Sequence, residues 1–207
     1  MDRLIRSALW TLPVAFGLFF FTFSVAIANF WLKISLSTFL LAMMGLKLTR
    51  GQWSGFFSFR PRSLWMGPLS AFVLYGIFWL GKEFSTALFS FASKEISNVY
   101  VSRAELSPAL IGALLFLVIG PCEEIYWRGF LQRSITKSLG PKAGLFLTSG
   151  IYALVHIFTL NVMLLMAAAV CGLFWGWLYQ REKSLIPVIL SHSIWDLVIF
   201  VLFPLTH

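Results

Sequence analysis

The sequence predicts an all-α, polytopic transmembrane helix bundle of about seven spans, with an additional interfacial amphipathic helix. Three observations predict it. Of the 207 residues 59% are hydrophobic and only 12% are charged, and the mean hydropathy is +0.85, which excludes an ordinary soluble domain. Apolar runs of helical length recur along the whole chain. The basic residues gather in short loops between those runs. The net charge of +8 therefore reads as a topology signal rather than a nucleic-acid footprint, because no basic stripe lies on a polar scaffold.

The runs lie near 8–28, 34–47, 64–81, 109–127, 143–160, 161–179 and 185–204. A span needs about 20 residues, so the second run is short and is expected to tilt little or to dip without crossing. The first opens on Arg3 and Arg6 and resembles a signal peptide, with Ala26-Ile27-Ala28 near a cleavage-like position. It is longer than the usual h-region of about 7–15 residues, which favours an uncleaved first helix. Trp53, Phe56, Phe57 and Phe59 near arginines suit an anchor at the inner interface. Residues 82–108 form one long connection. Phe84, Leu88, Phe89, Phe91 and Ile96 interleave there with polar residues, as in an amphipathic helix lying on the outer interface, where it could gate entry. Ala168, Gly172 and Gly176 recur every four positions on the sixth run, and such spacing allows two backbones to approach closely inside the bundle. One integral membrane domain is expected, with N-terminal and interfacial helices over 1–108 and a chemistry-bearing core over 109–204.

Charge orients the bundle. Arg3 and Arg6, then Lys47, Arg50, Arg60 and Arg62, then Arg133, Lys137 and Lys142, then Arg181 and Lys183 fall on one side of a seven-span chain. Lys33, Lys82, Lys94 and Arg103 fall on the other, beside Glu83, Glu95 and Glu105. The bias toward cytoplasmic Lys and Arg gives a cytoplasmic N-terminus and an external C-terminus.

Six ionisable residues interrupt the apolar core: Glu123, Glu124, Arg128, His156, His192 and Asp196. Each charge costs at least about 2.5–3.5 kcal/mol to insert, so such residues mark function by default. Glu124 and Arg128 are i and i+4 and can pair on one helix face. Glu123 is left without that partner, and an unpaired carboxylate in an apolar pocket is a candidate to take a proton from water. His192 and Asp196 are again i and i+4, so the carboxylate can orient the imidazole. At 1.5 Å per residue, Glu123 and His156 both lie roughly 20 Å from the basic loop near 137–142. His192 and Asp196 lie roughly 12–18 Å from Ser184. That places one water-holding site on the cytoplasmic half or near the midplane, provided the fourth helix continues to about residue 137. Cys122 and Cys171 read as small packing residues, with Cys122 beside the glutamate pair.

Glu-Glu-x-x-x-Arg (Glu123, Glu124, Arg128), aromatic-x-x-x-His (Tyr152, His156) and His-x-x-x-Asp (His192, Asp196) together resemble the three motifs of the CPBP family, the CAAX protease and bacteriocin-processing, or abortive-infection, group of intramembrane proteases. Gly176-Trp177-Leu178-Tyr179 and Ser184-Leu185-Ile186-Pro187 fit the same pattern, and the likeness covers roughly 109–200. The resemblance implies an intramembrane endopeptidase cleaving a membrane-associated protein or peptide near its terminus, in a bacterial or archaeal inner membrane. It makes Glu123 the base, His156 its partner, and His192 with Asp196 the oxyanion side. Two positions depart from the family: Tyr152 where Phe is frequent, and Asp196 where prenyl-protein-processing members have Asn. An ionised Asp cannot donate to an oxyanion, which weakens transfer of CAAX specificity. No cofactor is expected. Zinc is the competing reading, disfavoured by the spacing and by Arg128. A proton-coupled transporter and a non-catalytic scaffold or immunity protein are the readings from other classes.

Overall fold

The computed structural model describes residues 3–51 and 53–206. It is helical, with no strand among the described residues. Among the described residues six helices are long and apolar enough to cross a membrane, and a further apolar helix is shorter. They are α1 (Arg3–Ser24), α2 (Phe30–Leu48) and α3 (Ser63–Leu88), then a short α4 (Ala92–Val99), and α5 (Pro108–Leu139), α6 (Pro141–Thr159), α7 (Val162–Glu182) and the 17-residue α8 (Ile186–Leu202).

Local chemistry sets the boundaries. Asn29 caps α2, its Oδ1 accepting from the Trp31 and Leu32 N–H groups. The second run is therefore a full 19-residue helix rather than a partial dip. It looked short because Lys33 interrupts it, yet that ammonium is buried and donates to the Val25 carbonyl. Ser107 caps α5 and Asn161 caps α7. Gly140 joins α5 to α6 at φ +89°, a backbone state that a side chain would strain. The expected connection at 82–108 also differs: α3 runs on to Leu88, and only α4 and a 3-10 turn at Val101–Glu105 lie across the end of the bundle. Helix continuity there satisfies the backbone through Lys82 and Glu83, which pair at 3.3 Å.

Both ends of the bundle are tied by polar contacts, and they separate the loops as the charges do. At the basic end Arg62 pairs with Glu182 at 2.7 Å. The Ser184 hydroxyl donates to the Ser58 carbonyl, and the Leu185 N–H donates to Phe56 O at 2.7 Å. Phe56 is fully buried there beneath the Arg133 guanidinium, so it is a core residue rather than part of an interfacial anchor. Trp53, Phe57 and Phe59 remain exposed. At the opposite end Glu105 accepts from the Phe30 N–H at 2.7 Å, and the Trp31 indole donates to Ser102 O. Glu95 accepts from the Met163 N–H at 2.9 Å, fastening α4 to the start of α7. These two carboxylates therefore satisfy open helix N-termini.

The stripe of small residues on α7 packs inside the bundle, as its spacing predicts. A Cβ on Gly172 would lie 3.1 Å from the Ser149 Cα, and one on Gly176 would lie 2.7 Å from Leu145 Cδ1. The stripe lets α6 and α7 meet almost backbone to backbone.

Candidate intramembrane active site

The fourth long helix does not run as a uniform α-helix. Leu115–Ile119 and Ile125–Gln132 are π-helical turns flanking Gly120–Glu124. Pro121 has no N–H, so one carbonyl of the preceding turn loses its usual donor. The ladder widens there, and Gly120 N–H bonds back to Leu115 O. Gly120 also lies against α8, where a Cβ would come within 2.7 Å of the Ser193 Oγ. Widened turns of this kind are frequent at functional sites. Here they flank the turn that carries Glu123 and Glu124, next to the close approach of Gly120 to α8.

Glu124 and Arg128 form the expected pair, Nη1 to Oε1 at 2.8 Å, with both side chains at most 1% exposed. The other guanidinium nitrogen, Nη2, reaches the Cys171 and Gly172 carbonyls on α7 at 3.3 and 3.4 Å. Gln132, one turn on, donates to Gly176 O at 2.9 Å. The same Oε1 of Glu124 accepts from His192 Nδ1 at 2.7 Å. This corrects the expectation drawn from the i,i+4 spacing. Asp196 does lie beside His192, but at 3.4 Å from Nε2, and the carboxylate that holds the ring most closely is Glu124. His192 is stacked on Trp175, with centroids 3.7 Å apart and planes 19° apart.

Proton placement follows from these contacts. A carboxylate only accepts, so His192 Nδ1 carries a proton toward Glu124. Nε2 and the Asp196 carboxylate would then be two facing acceptors unless one further proton lies on either of them. Such a proton would lie at the cavity wall, between His192 and Asp196.

Glu123 is not unpartnered. The Tyr152 hydroxyl donates to its Oε2 at 2.8 Å, leaving Oε1 for another donor. The sequence treats Tyr152 as a mild departure, whereas the hydroxyl that distinguishes it from Phe makes this contact. His156 turns Nδ1 to the Tyr152 carbonyl at 2.7 Å. A carbonyl accepts, so the proton sits on Nδ1 and Nε2 keeps a free lone pair. Phe19 and Phe23 of α1 wall the imidazole, with centroids at 5.2 and 5.5 Å.

All six residues lie around one place, on α5, α6 and α8. Glu123, His156, His192 and Asp196 line a cavity of about 1270 Å³, and Glu124 and Arg128 support it from behind. Sequence reasoning missed Trp175, Gln132, Phe19 and Phe23. Cys122 is half-buried and Cys171 buried, and neither is in a disulfide. Among the described residues no group of three or more His, Cys, Asp and Glu side chains is arranged to hold a metal ion.

Fold and site define a polytopic helical membrane protein with a buried carboxylate–imidazole centre. Residues 105–198 match the model of a protein family described as type II CAAX prenyl endopeptidase Rce1-like. That is the CPBP family, as the motifs suggest. It is a family of proteases, and the matched segment contains all six site residues. No curated protein and no solved structure matches the chain.

Proposed function

We propose that this chain is an intramembrane endopeptidase that hydrolyses a bond near the terminus of a membrane-associated protein or peptide by glutamate-activated water attack. The observation that supports this best is the division of labour between two adjacent carboxylates. Glu124 lies outside the cavity lining and its Oε1 holds both Arg128 and His192, whereas Glu123 lines the cavity, with Tyr152 on Oε2 and Oε1 open to a water.

A water between Glu123 Oε1 and His156 Nε2 donates one hydrogen to each and aims a lone pair at the scissile carbonyl carbon. On attack the new C–O bond forms and the water's proton passes to Glu123. The carbonyl oxygen becomes an oxyanion and meets the proton held between His192 and Asp196. Glu123 then returns its proton to the departing amine as the C–N bond breaks. The other carboxylate keeps His192 in its tautomer, and Trp175 keeps the ring in place. In this reading Tyr152, Glu124 and Arg128 are positioning residues.

The mechanism asks nothing of a cofactor. Zinc fits the donors poorly, because His192 Nδ1 is taken by Glu124 and the Arg128 charge lies 2.8 Å from that same carboxylate.

The test compares protein termini in the native host carrying wild type or Glu123→Gln. The amide cannot accept the water's proton, so a membrane-anchored protein should remain at full length only in the variant. Unchanged termini, with the variant folded and abundant, would reject the peptidase in favour of a transporter or scaffold.

A further inference from the structure

The cavity has a direction that the motifs do not reveal. It runs from Glu123 and His156 to the end of the bundle formed by the α1–α2 turn, α4, the 3-10 turn at Val101–Glu105 and the α6–α7 turn. His156 itself is only three residues from the end of α6 on that side. Among the described residues, none from the loops at 49–62, 133–142 or 180–185 lines it. The basic end is instead sealed: Phe56, Leu178 and Leu185 are fully buried there, beneath the Arg62–Glu182 pair and the Ser184–Ser58 bond.

The mouth is therefore at the end opposite the basic loops. Eleven lysines and arginines lie toward the basic end and four toward the mouth, as named above, with Arg128 within the bundle. Three of the mouth's four are balanced by Glu83, Glu95 and Glu105, two of which are committed to helix N-termini. Short loops rich in Lys and Arg stay in the cytoplasm.

The wall of the cavity also reaches the flank of the bundle. Ile77 and Phe84 of α3 and Met166 and Val170 of α7 line it and are themselves exposed. The helices α3 and α7 meet over a small area and are further bridged by α4, which contacts both. A substrate anchored in the same bilayer can thus lie along this flank while its polypeptide turns inward to Glu123.

We infer that this site is fed from the non-cytoplasmic side, and that its substrates are membrane-anchored chains cut in a segment reaching the site from the outer end of their anchor. This rests on the peptidase reading and narrows it: a cytoplasmic tail has no route to Glu123 through the sealed end.

The sidedness is tested first, and without catalysis. Single cysteines are placed at the mouth (Asn98→Cys) and at the basic end (Phe57→Cys) in a Cys122→Ala/Cys171→Ala background, and intact cells are treated with a membrane-impermeant maleimide. Asn98→Cys should label in intact cells, and Phe57→Cys only after permeabilisation. The reverse pattern overturns the inference and leaves the peptidase reading untouched. The same cells, with and without Glu123→Gln, are then compared for protein termini. A terminus retained on the outer side of an anchor supports the inference, and one retained on the cytoplasmic side overturns it. External labelling with no terminus changed refutes the peptidase reading, and the inference about substrates with it.

Discussion

Arg128→Ala is the perturbation whose cost the structure fixes best. The guanidinium is 1% exposed and its partner Glu124 is not exposed at all. Removing it leaves a carboxylate in an apolar interior with one neighbour, His192, at 2.7 Å. Breaking a buried pair by deleting one member costs about 3–5 kcal/mol, because the remaining charge has lost its compensation. Against a total stability of about 5–15 kcal/mol, that is a large fraction. For a chain of this size it corresponds to a fall in Tm of about 6–20 °C. The comparison that isolates the cause is Glu124→Leu combined with Arg128→Met, which removes both charges and retains apolar volume. It should recover most of the loss, less about 1–3 kcal/mol for a His192 Nδ1–H left without its acceptor. The double variant should lose cleavage, since His192 no longer has the Glu124 carboxylate that holds its Nδ1–H. The assay is thermal unfolding of the purified protein in one detergent, followed by circular dichroism, with Glu123→Gln as the control that keeps the pair. Arg128→Ala melting within about 1 °C of wild type, where at least about 6 °C is expected, or a double variant no more stable than the single one, would refute this account of Arg128.

The oxyanion side separates by chemistry. Asp196→Asn keeps a polar group near His192 and supplies its own donor, so cleavage should persist, whereas Asp196→Ala should lose about 10²–10³ in rate; both are read by following a processed substrate in isolated membranes. Gly172→Ala would press a methyl onto the Ser149 backbone at 3.1 Å, which neither helix can relieve by a rotamer change. It should cost about 1–3 kcal/mol of stability, measured by the same melt. Treatment with a strong zinc chelator should leave the cleavage rate unchanged, and a loss restored by added zinc would replace the glutamate mechanism with a metal one.

The bundle was legible because its signals are local in the chain. Apolar runs, the loops that carry Arg and Lys, and pairs such as Glu124 and Arg128 depend on spacing within one helix. What could not be read depends on how helices rotate against each other. Glu124 meets His192 across 68 positions and Tyr152 meets Glu123 across 29, and the i,i+4 rule gave His192 to Asp196 instead. Inside lipid, composition does not separate the core from the lipid-facing surface, because hydrocarbon is as apolar as leucine. Phe56 and Phe57 are adjacent and chemically identical, yet one is fully buried and the other is 43% exposed. Trp175 left a faint signal, a large ring on the small-residue helix near Gly172 and Gly176. The widened turns of α5 were foreshadowed only by Pro121, within a run otherwise suited to a helix.

The two phenylalanines that enclose His156 come from the first helix, far outside the stretch that carries the motifs. Part of the chamber's shape is therefore encoded away from the residues that carry its reactivity. Replacing Phe23, which lines the cavity, with a smaller or larger apolar residue would redraw the space beside His156 while leaving every proton-carrying group in place. The first helix thus offers a position to vary when a new substrate is sought, outside the stretch that carries the motifs.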